Sequence, residues 1–161
     1  MAQWLTYEKV GNGSDGVYAP STSTDAPIDS VITVGGTATA GTNSIPATNA
    51  SFASGQLILT HQTRKADSGA GVWELNVISS YTAGTITTRY ALANTYSNTG
   101  GATVAQVLVV KQYSDINIAA GVTLTAKAWG GAVGGILALA CNGTITIAGT
   151  MTAAGKGFVG N

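Results

Sequence analysis

Short runs of apolar and β-branched residues, separated by glycine-containing turns, recur along most of the chain. Within these runs apolar and polar residues alternate, which is the period of a half-buried strand. Nothing in the sequence has the length and the 3.6-residue period of a long helix. The pattern therefore predicts an all-β protein.

The clearest alternation lies over residues 31–112. Predicted strands cover 56–62, 71–78, 85–90 and 103–110, and turn residues separate them. Several short strands at this spacing favour a small β-barrel or sandwich module. The predicted core residues are Leu57, Leu59, Val72, Leu75, Val77, Ile86, Leu92, Val107 and Val109.

Residues 113–161 change character and contain a degenerate repeat. The first copy covers 116–126 and the second covers 145–153, at an offset of 27 to 29 residues. An apolar run at 136–140 lies between them and supplies a further strand. Repeats of this length with glycine corners are typical of stacked β-solenoid coils. Because two coils bury little surface alone, we expect more coils, a cap or other subunits to cover them.

The composition of residues 1–30 predicts an extended N-terminal segment rather than a sheet. A turn cluster at 11–16 precedes a Ser/Thr/Asp-rich stretch that contains Pro20 and Pro27. Such a segment is either a linker or frayed terminus, or an arm that docks on a neighbouring subunit. Its apolar residues favour the docking arm; these are Trp4, Leu5, Tyr7, Val10, Val17 and Tyr18.

The composition is poor in charge, at 9% Asp, Glu, Lys and Arg with a formal net charge of zero. A surface of this kind offers little resistance to association, which favours a part of a larger assembly. The only adjacent basic pair is Arg64–Lys65, so the chain lacks the clustered cations that nucleic-acid binding needs.

The first residues contain neither the basic nor the apolar region of a secretory signal, and no apolar run is long enough to span a membrane. We therefore expect no membrane partner. Release of virus particles by cell lysis would account for an extracellular location without a signal peptide.

Residues that could carry chemistry are few. His61 is the single histidine, Cys141 the single cysteine, and the pairs Asp25/Asp29 and Asp67/Glu74 lack the context of a glycosidase site. Trp73 and Trp129 are candidates for sugar stacking, but aromatic anchors of subunit contacts are the preferred interpretation. The sequence thus predicts no catalytic, metal or cofactor-binding residue, and a chain that is not an enzyme.

Several stretches resemble Gly-rich structural proteins of tailed bacteriophages and related bacterial surface proteins. They cover most of residues 50–161 and are, in order, 55–62, 71–76, 92–96, 105–108, 112–113, 125–129, 134–138, 142–147 and 155–158. The resemblance implies a fibre, spike, adhesin or capsid-associated protein, with a glycine-rich tail or further β coils after this stretch.

We therefore expect a structural component of a bacteriophage virion, such as a fibre or spike base. The alternatives are a capsid decoration protein and a bacterial secreted or surface fibre subunit or adhesin. The expected partners are other virion proteins and further copies of the chain, with a trimer preferred; a host glycan has no support in the residue pattern. The predicted interface residues are Trp4, Leu5, Tyr7, Val10, Tyr18, Trp129, Ile136, Leu137 and Phe158.

Overall fold

The fold is all-β, as the alternating pattern predicts. The computed structural model describes residues 11–25, 31–48 and 52–158, and within these ranges it contains strands and turns but no helix. The strands, numbered in chain order, are β1 Val17–Tyr18, β2 Thr24–Asp25, β3 Val31–Thr33, β4 Thr37–Ala38, β5 Ser44–Pro46, β6 Leu57–Arg64, β7 Trp73–Thr82, β8 Thr85–Thr88, β9 Tyr96–Ser97, β10 Val104–Val109, β11 Lys111–Tyr113, β12 Asp115–Ile118, β13 Thr123–Thr125, β14 Leu139–Cys141, β15 Ile145–Ile147 and β16 Thr150–Thr152.

The chain divides into two compact units. The first, called the solenoid unit here, contains the described residues 11–25 and 110–158. The second, the sheet unit, contains residues 31–48 and 52–109. These units differ from the three segments predicted at 1–30, 31–112 and 113–161, because residues 11–25 join the C-terminal part of the chain.

The sheet unit is built on a six-stranded antiparallel sheet in the order β3-β10-β6-β7-β8-β5. Strand β10 lies between β3 and β6, and all six of its residues are buried. Of the predicted core residues, Leu59, Val72 and Leu75 are only half-buried, and the other six are buried. The alternation therefore predicts the strands well and the buried face less completely.

The solenoid unit consists of parallel strands stacked in three ladders. These are β1-β12-β15, β2-β13-β16 and β11-β14. Successive strands define three coils, which we call coil 1 (residues 14–25), coil 2 (111–125) and coil 3 (139–152). Ile116 pairs with Ile145 and Thr123 with Thr150, so the ladders reproduce the 29- and 27-residue offsets of the sequence repeat.

Coil 1 comes from the segment predicted as an extended arm. Val17 pairs with Asp115 and Thr24 with Leu124, so β1 and β2 extend the ladders of coil 2. The sheet unit is therefore inserted in the chain between coil 1 and coil 2. Residues 1–10 and 26–30 lie outside the described residues, and docking of the arm on a neighbouring subunit stays a prediction.

Candidate functional site: the open end of the solenoid

The inward-facing isoleucines of coils 2 and 3 stack in register but differ in burial. In coil 2, Ile116 is 2% exposed and Ile118 is 0% exposed. Their partners in coil 3, Ile145 and Ile147, are 53% and 48% exposed. Among the strands that the structure describes, coil 2 lies between two coils, whereas coil 3 has a neighbouring coil on one side.

Within residues 11–25, 31–48 and 52–158, the strands of coil 3 are each the terminal strand of their ladder. A terminal strand presents unpaired backbone N–H and C=O groups, and proteins usually protect such an edge with Lys, Pro or a bulge. Residues 139–155 contain no Lys, Arg, Asp, Glu or Pro. We call this surface, made by β14, β15 and β16 with the exposed Ile145 and Ile147, the open end.

Two glycines allow coil 3 to lie close to coil 2. A side chain at Gly143 would collide with the carbonyl oxygen of Ser114, and one at Gly149 would collide with that of Val122. The backbone amide of Thr144 also donates to Asp115 Oδ1 at 2.9 Å. The corners of the coil are thus fixed by backbone contacts, which hold β15 and its two isoleucines in place.

The five predicted interface residues that the structure describes all lie in the solenoid unit. Tyr18 stacks on Tyr113 with ring centroids 4.8 Å apart and packs against the solenoid core, where burial raises its pKa. Leu137 packs against the same core, and Ile136 is half-buried. Trp4, Leu5, Tyr7 and Val10 lie outside the described residues.

Trp129 and Phe158 are the two predicted interface residues that contact each other. Their rings meet edge to face with centroids 6.0 Å apart, and the amide of Trp129 donates to the carbonyl of Lys156 at 2.9 Å. Phe158 is 37% exposed. These contacts join the loop that follows β13 to the segment that follows β16.

The sequence-based interface set omits Ile145 and Ile147. The signal that could have found them is the repeat itself, because the second copy carries the same alternating isoleucines as the first. Only the observed exposure shows which copy of the repeat is left uncovered.

Glu74, a candidate catalytic carboxylate, is a buried hydrogen-bond acceptor. Its Oε2 accepts hydrogen bonds from the amides of Ala93 and Asn94 at 3.1 and 3.0 Å, from the Asn94 side chain at 3.1 Å and from the Tyr96 hydroxyl at 3.1 Å. Burial, with the charge of Glu74 as a second cause, raises the pKa of Tyr96. This arrangement holds the loop before β9 against the sheet.

His61 and Cys141 lie in different units. Nδ1 of His61 is 3.0 Å from Thr63 Oγ1, and burial lowers the pKa of the imidazole. The thiol of Cys141 is half-buried and lies 3.5 Å from the carbonyl oxygen of Ser114. Across the described ranges, no group of three or more His, Cys, Asp or Glu residues is placed to hold a metal ion.

No helix long and apolar enough to cross a membrane is found in the part of the chain that the structure describes.

Comparison with known proteins gives structural matches only. No protein-family model and no curated protein matches the chain. Among solved structures it is similar to tailspike gp49 of Pseudomonas phage LKA1, at 18% identity and a TM-score of 0.38 over 70% of this chain and 24% of that one. It is also similar to the Gp54 tailspike of Acinetobacter baumannii bacteriophage AP22, at 12% identity and a TM-score of 0.42 over 69% of this chain and 19% of that one. A third match is tailspike gp61 of Pseudomonas phage phi297, at 10% identity and a TM-score of 0.38 over 85% of this chain and 25% of that one.

The chain spans a quarter or less of the length of these three proteins. All three are phage tailspikes, the kind of protein that the sequence resemblance names, whereas the resemblance to bacterial surface proteins stays a prediction. One prediction is corrected. The AP22 tailspike is in complex with an A. baumannii capsular saccharide, and the exclusion of enzyme activity, drawn from the residue pattern alone, is wrong as stated.

Proposed function

We propose that the chain is a structural component of a bacteriophage virion, part of a tail fibre or spike, that assembles through the open end of its solenoid. The observation that carries the proposal is the exposure of Ile145 and Ile147 directly above two buried isoleucines of the same ladder. An apolar column that is buried at one level and exposed at the next is complete only when a further β layer covers it.

Covering the open end should stabilise an assembly by several kcal/mol of free energy, although the contact is small. Full burial of an Ile side chain contributes about 1.5–3 kcal/mol, so covering the exposed half of two such side chains contributes on the order of 1.5–3 kcal/mol in total. The edge strands add backbone hydrogen bonds, each worth about 1 kcal/mol net. A docked β layer therefore has both an apolar and a hydrogen-bonding contribution.

Two sequence features support the virion as the setting. The chain has only seven basic and seven acidic residues among 161, a composition suited to a surface largely covered by neighbours. The resemblance to structural proteins of tailed phages extends over residues 50–161, which include coils 2 and 3. Further copies of the chain and other virion proteins are the partners that fit an uncharged β edge.

The test is incorporation into virus particles. Particles produced by the genome that encodes the chain are purified and examined by mass spectrometry and by immunogold labelling. The chain is expected in the particle, at a fibre or spike. An Ile147→Lys variant should be incorporated at a lower level because it places a charge on the covered surface.

The matched control is Asn117→Lys, which adds the same charge to the exposed outer face of β12. Asn117 pairs with Thr146 in the ladder, one coil below the open end. Its incorporation should equal that of the unmodified chain. Absence of the chain from purified particles would refute the proposed function.

A further inference from the structure

We infer that the interior of the sheet unit binds one water molecule, held between the hydroxyl of Thr60 and the carboxylate of Glu74. The water accepts a hydrogen bond from Thr60 Oγ1 and donates one to Glu74 Oε1. The site lies inside the sheet unit and involves neither the open end nor the partners of the chain. The inference is therefore independent of the proposed function.

Thr60 carries a buried hydroxyl that its protein neighbours do not satisfy. The residue lies in β6, a central strand of the sheet, and is 0% exposed. Its ladder partner in β10 is the core residue Val107, so the Thr60 side chain points into the core. Among the buried side-chain nitrogen and oxygen atoms of the described residues, Thr60 Oγ1 is the one without a hydrogen-bond partner. A native buried hydroxyl of this kind is usually bonded to an ordered water, because leaving it unpaired is unfavourable.

Glu74 lies directly opposite Thr60 in the neighbouring strand β7. Opposed residues of antiparallel strands project from the same face of the sheet, with Cβ atoms about 4.5–5.5 Å apart. The two carboxylate oxygens are used unequally by the described residues. Oε2 accepts four hydrogen bonds, whereas Oε1 has a 3.2 Å contact from the Ala93 amide, which it shares with Oε2. Because a carboxylate oxygen can accept two hydrogen bonds, Oε1 keeps acceptor capacity on the side chain opposite Thr60.

A bridging water accounts for both groups, whereas a direct bond between Thr60 and Glu74 is not formed. Two hydrogen bonds of about 2.8 Å that meet at one water join oxygen atoms roughly 4.5 Å apart, which suits side chains on opposed residues of a strand pair. Tyr96 offers a third partner, because its hydroxyl donates to Glu74 Oε2 at 3.1 Å and its oxygen can still accept. An internal water typically makes about three hydrogen bonds.

The donors around Glu74 favour a neutral ligand over a cation. The amides of Ala93 and Asn94, the Asn94 side chain and the Tyr96 hydroxyl all direct hydrogens at the carboxylate. These partial positive charges stabilise the carboxylate and oppose a metal ion placed beside it. Sites for hard cations are instead built from several oxygen ligands that face the ion. Water matches both groups, because it can accept from Thr60 and donate to Glu74.

Replacement of Thr60 by valine tests the site through the sign of the stability change, because valine has nearly the same shape without the hydroxyl. In a dry core, removal of an unpaired hydroxyl would stabilise the protein and raise the urea midpoint of unfolding. With the water in place, Thr60→Val removes one of its hydrogen bonds. The urea midpoint should then fall, and the ratio of unfolded to folded protein should rise by about fivefold. Thr60→Ser keeps the hydroxyl and should retain the water.

The matched control is Thr88→Val in the same unit. Thr88 is 2% exposed, and its hydroxyl donates to the Tyr90 carbonyl at 2.8 Å. This variant loses a hydrogen bond whose acceptor is known, so it gives the midpoint shift expected when a satisfied hydroxyl is removed. Thr60→Val should shift the midpoint in the same direction as Thr88→Val. A shift in the opposite direction would show that the site is dry and would overturn the inference.

Oxygen-17 magnetic relaxation dispersion of the full chain counts internal waters directly. The dispersion amplitude should fall by about one water in Thr60→Val and stay unchanged in Thr88→Val. An equal amplitude in Thr60→Val and the unmodified chain would overturn the inference, since Thr60 would then bond directly to Glu74 or to nothing. Replacement of sodium chloride by choline chloride should leave the stability of the unmodified chain unchanged. A loss of stability that is absent in Thr60→Val would identify a bound cation in place of water.

Discussion

Isoleucines of the same repeat lie in opposite environments in consecutive coils, which makes them matched probes of the solenoid. Ile118 is fully buried under its neighbours, whereas its ladder partner Ile147 is about half exposed. The cost of removing a side chain depends on how much of it is buried and on the cavity left behind. The pair therefore separates the folding role of the column from its role in association.

Ile118→Ala should destabilise the solenoid unit by about 2–4 kcal/mol, because it leaves a cavity between coils. Ile147→Ala should cost less than about 1 kcal/mol in dilute protein, since much of that side chain already contacts water. Urea unfolding of both variants measures the difference. Equal losses would show that coil 3 is covered even in the dilute chain.

His61 gives a pH dependence that can be assigned to one residue, because it is the only histidine. Burial lowers the pKa of the folded imidazole below its usual value of 6.5. The unfolded state therefore binds the proton more readily, and stability falls as the pH drops below that value towards the folded pKa.

The free energy of unfolding should decrease between pH 7 and the folded pKa of His61 in the unmodified chain. It should stay nearly level over the same interval in His61→Gln, which keeps a polar side chain but does not titrate. Urea unfolding at a series of pH values supplies the measurement, and an unchanged slope in the variant would assign the effect to another group.

At the scale of elements, most strands of the sheet unit can be predicted from the local sequence. Those of the solenoid unit can be predicted only in part. Strands β6, β7, β8 and β10 could be predicted because each is a run of apolar and β-branched residues bounded by turn residues, whereas the two-residue strand β9 was not predicted. Coils 2 and 3 could be predicted because they repeat within 30 residues. Pairing of β1 with β12 could not, because a two-residue strand carries little pattern and its partner lies 98 positions further on.

The hairpin of β7 and β8 contains a conformation that its sequence does not favour. Ala83 and Gly84 form its two-residue loop with φ values of 48° and 81°. Positive φ at both loop positions is the type I′ pattern, for which Asn-Gly is preferred because an L-residue with a Cβ resists this region.

Ala83→Asn should therefore stabilise the chain by about 0.5–1 kcal/mol. Ala83→Val, whose branched side chain tolerates the region less well, should destabilise it. Thermal unfolding of the two variants provides a test with opposite signs, and a shift in the same direction for both would contradict the assigned turn.

Several side chains join coil 1 to coil 2: Ser23 Oγ accepts a hydrogen bond from the Thr123 amide at 2.9 Å, Tyr18 stacks on Tyr113, and Asp15 makes two polar contacts. Asp15 accepts a hydrogen bond from the amide of Gln112 at 2.7 Å and forms an ion pair with Lys111 at 3.0 Å. Both groups of the ion pair are partly exposed, so most of the effect comes from the backbone hydrogen bond.

Asp15→Ala should cost about 1 kcal/mol and should act locally. Hydrogen exchange is expected to become faster for the amides of β1 and β2, and to stay unchanged for β6 in the sheet unit. Uniform acceleration in both units would show that coil 1 opens only when the whole chain unfolds.

At the scale of the whole molecule, the N-terminal thirty residues combine a solenoid coil with segments whose docking role is a prediction. Removing residues 1–30 would remove both, and it would uncover Ile116 and Tyr113 in coil 2. A deletion that tests docking must therefore leave residues 11–25 in place.

A chain that lacks residues 1–10 should lose incorporation into particles if these residues form the docking arm, while β1 and β2 stay paired with coil 2. Hydrogen exchange of the described strands and mass spectrometry of purified particles measure the two effects. Normal incorporation of this variant would rule out docking through residues 1–10.

The insertion of the sheet unit also sets an order of events during synthesis. Val17 leaves the ribosome 98 residues before Asp115, the residue with which it pairs. At about 5–20 residues per second, this interval lasts roughly 5–20 seconds, and the strands of the sheet unit emerge within it. The first coil must stay without its partner strand while the inserted unit folds, so the solenoid can close only after translation has passed β12.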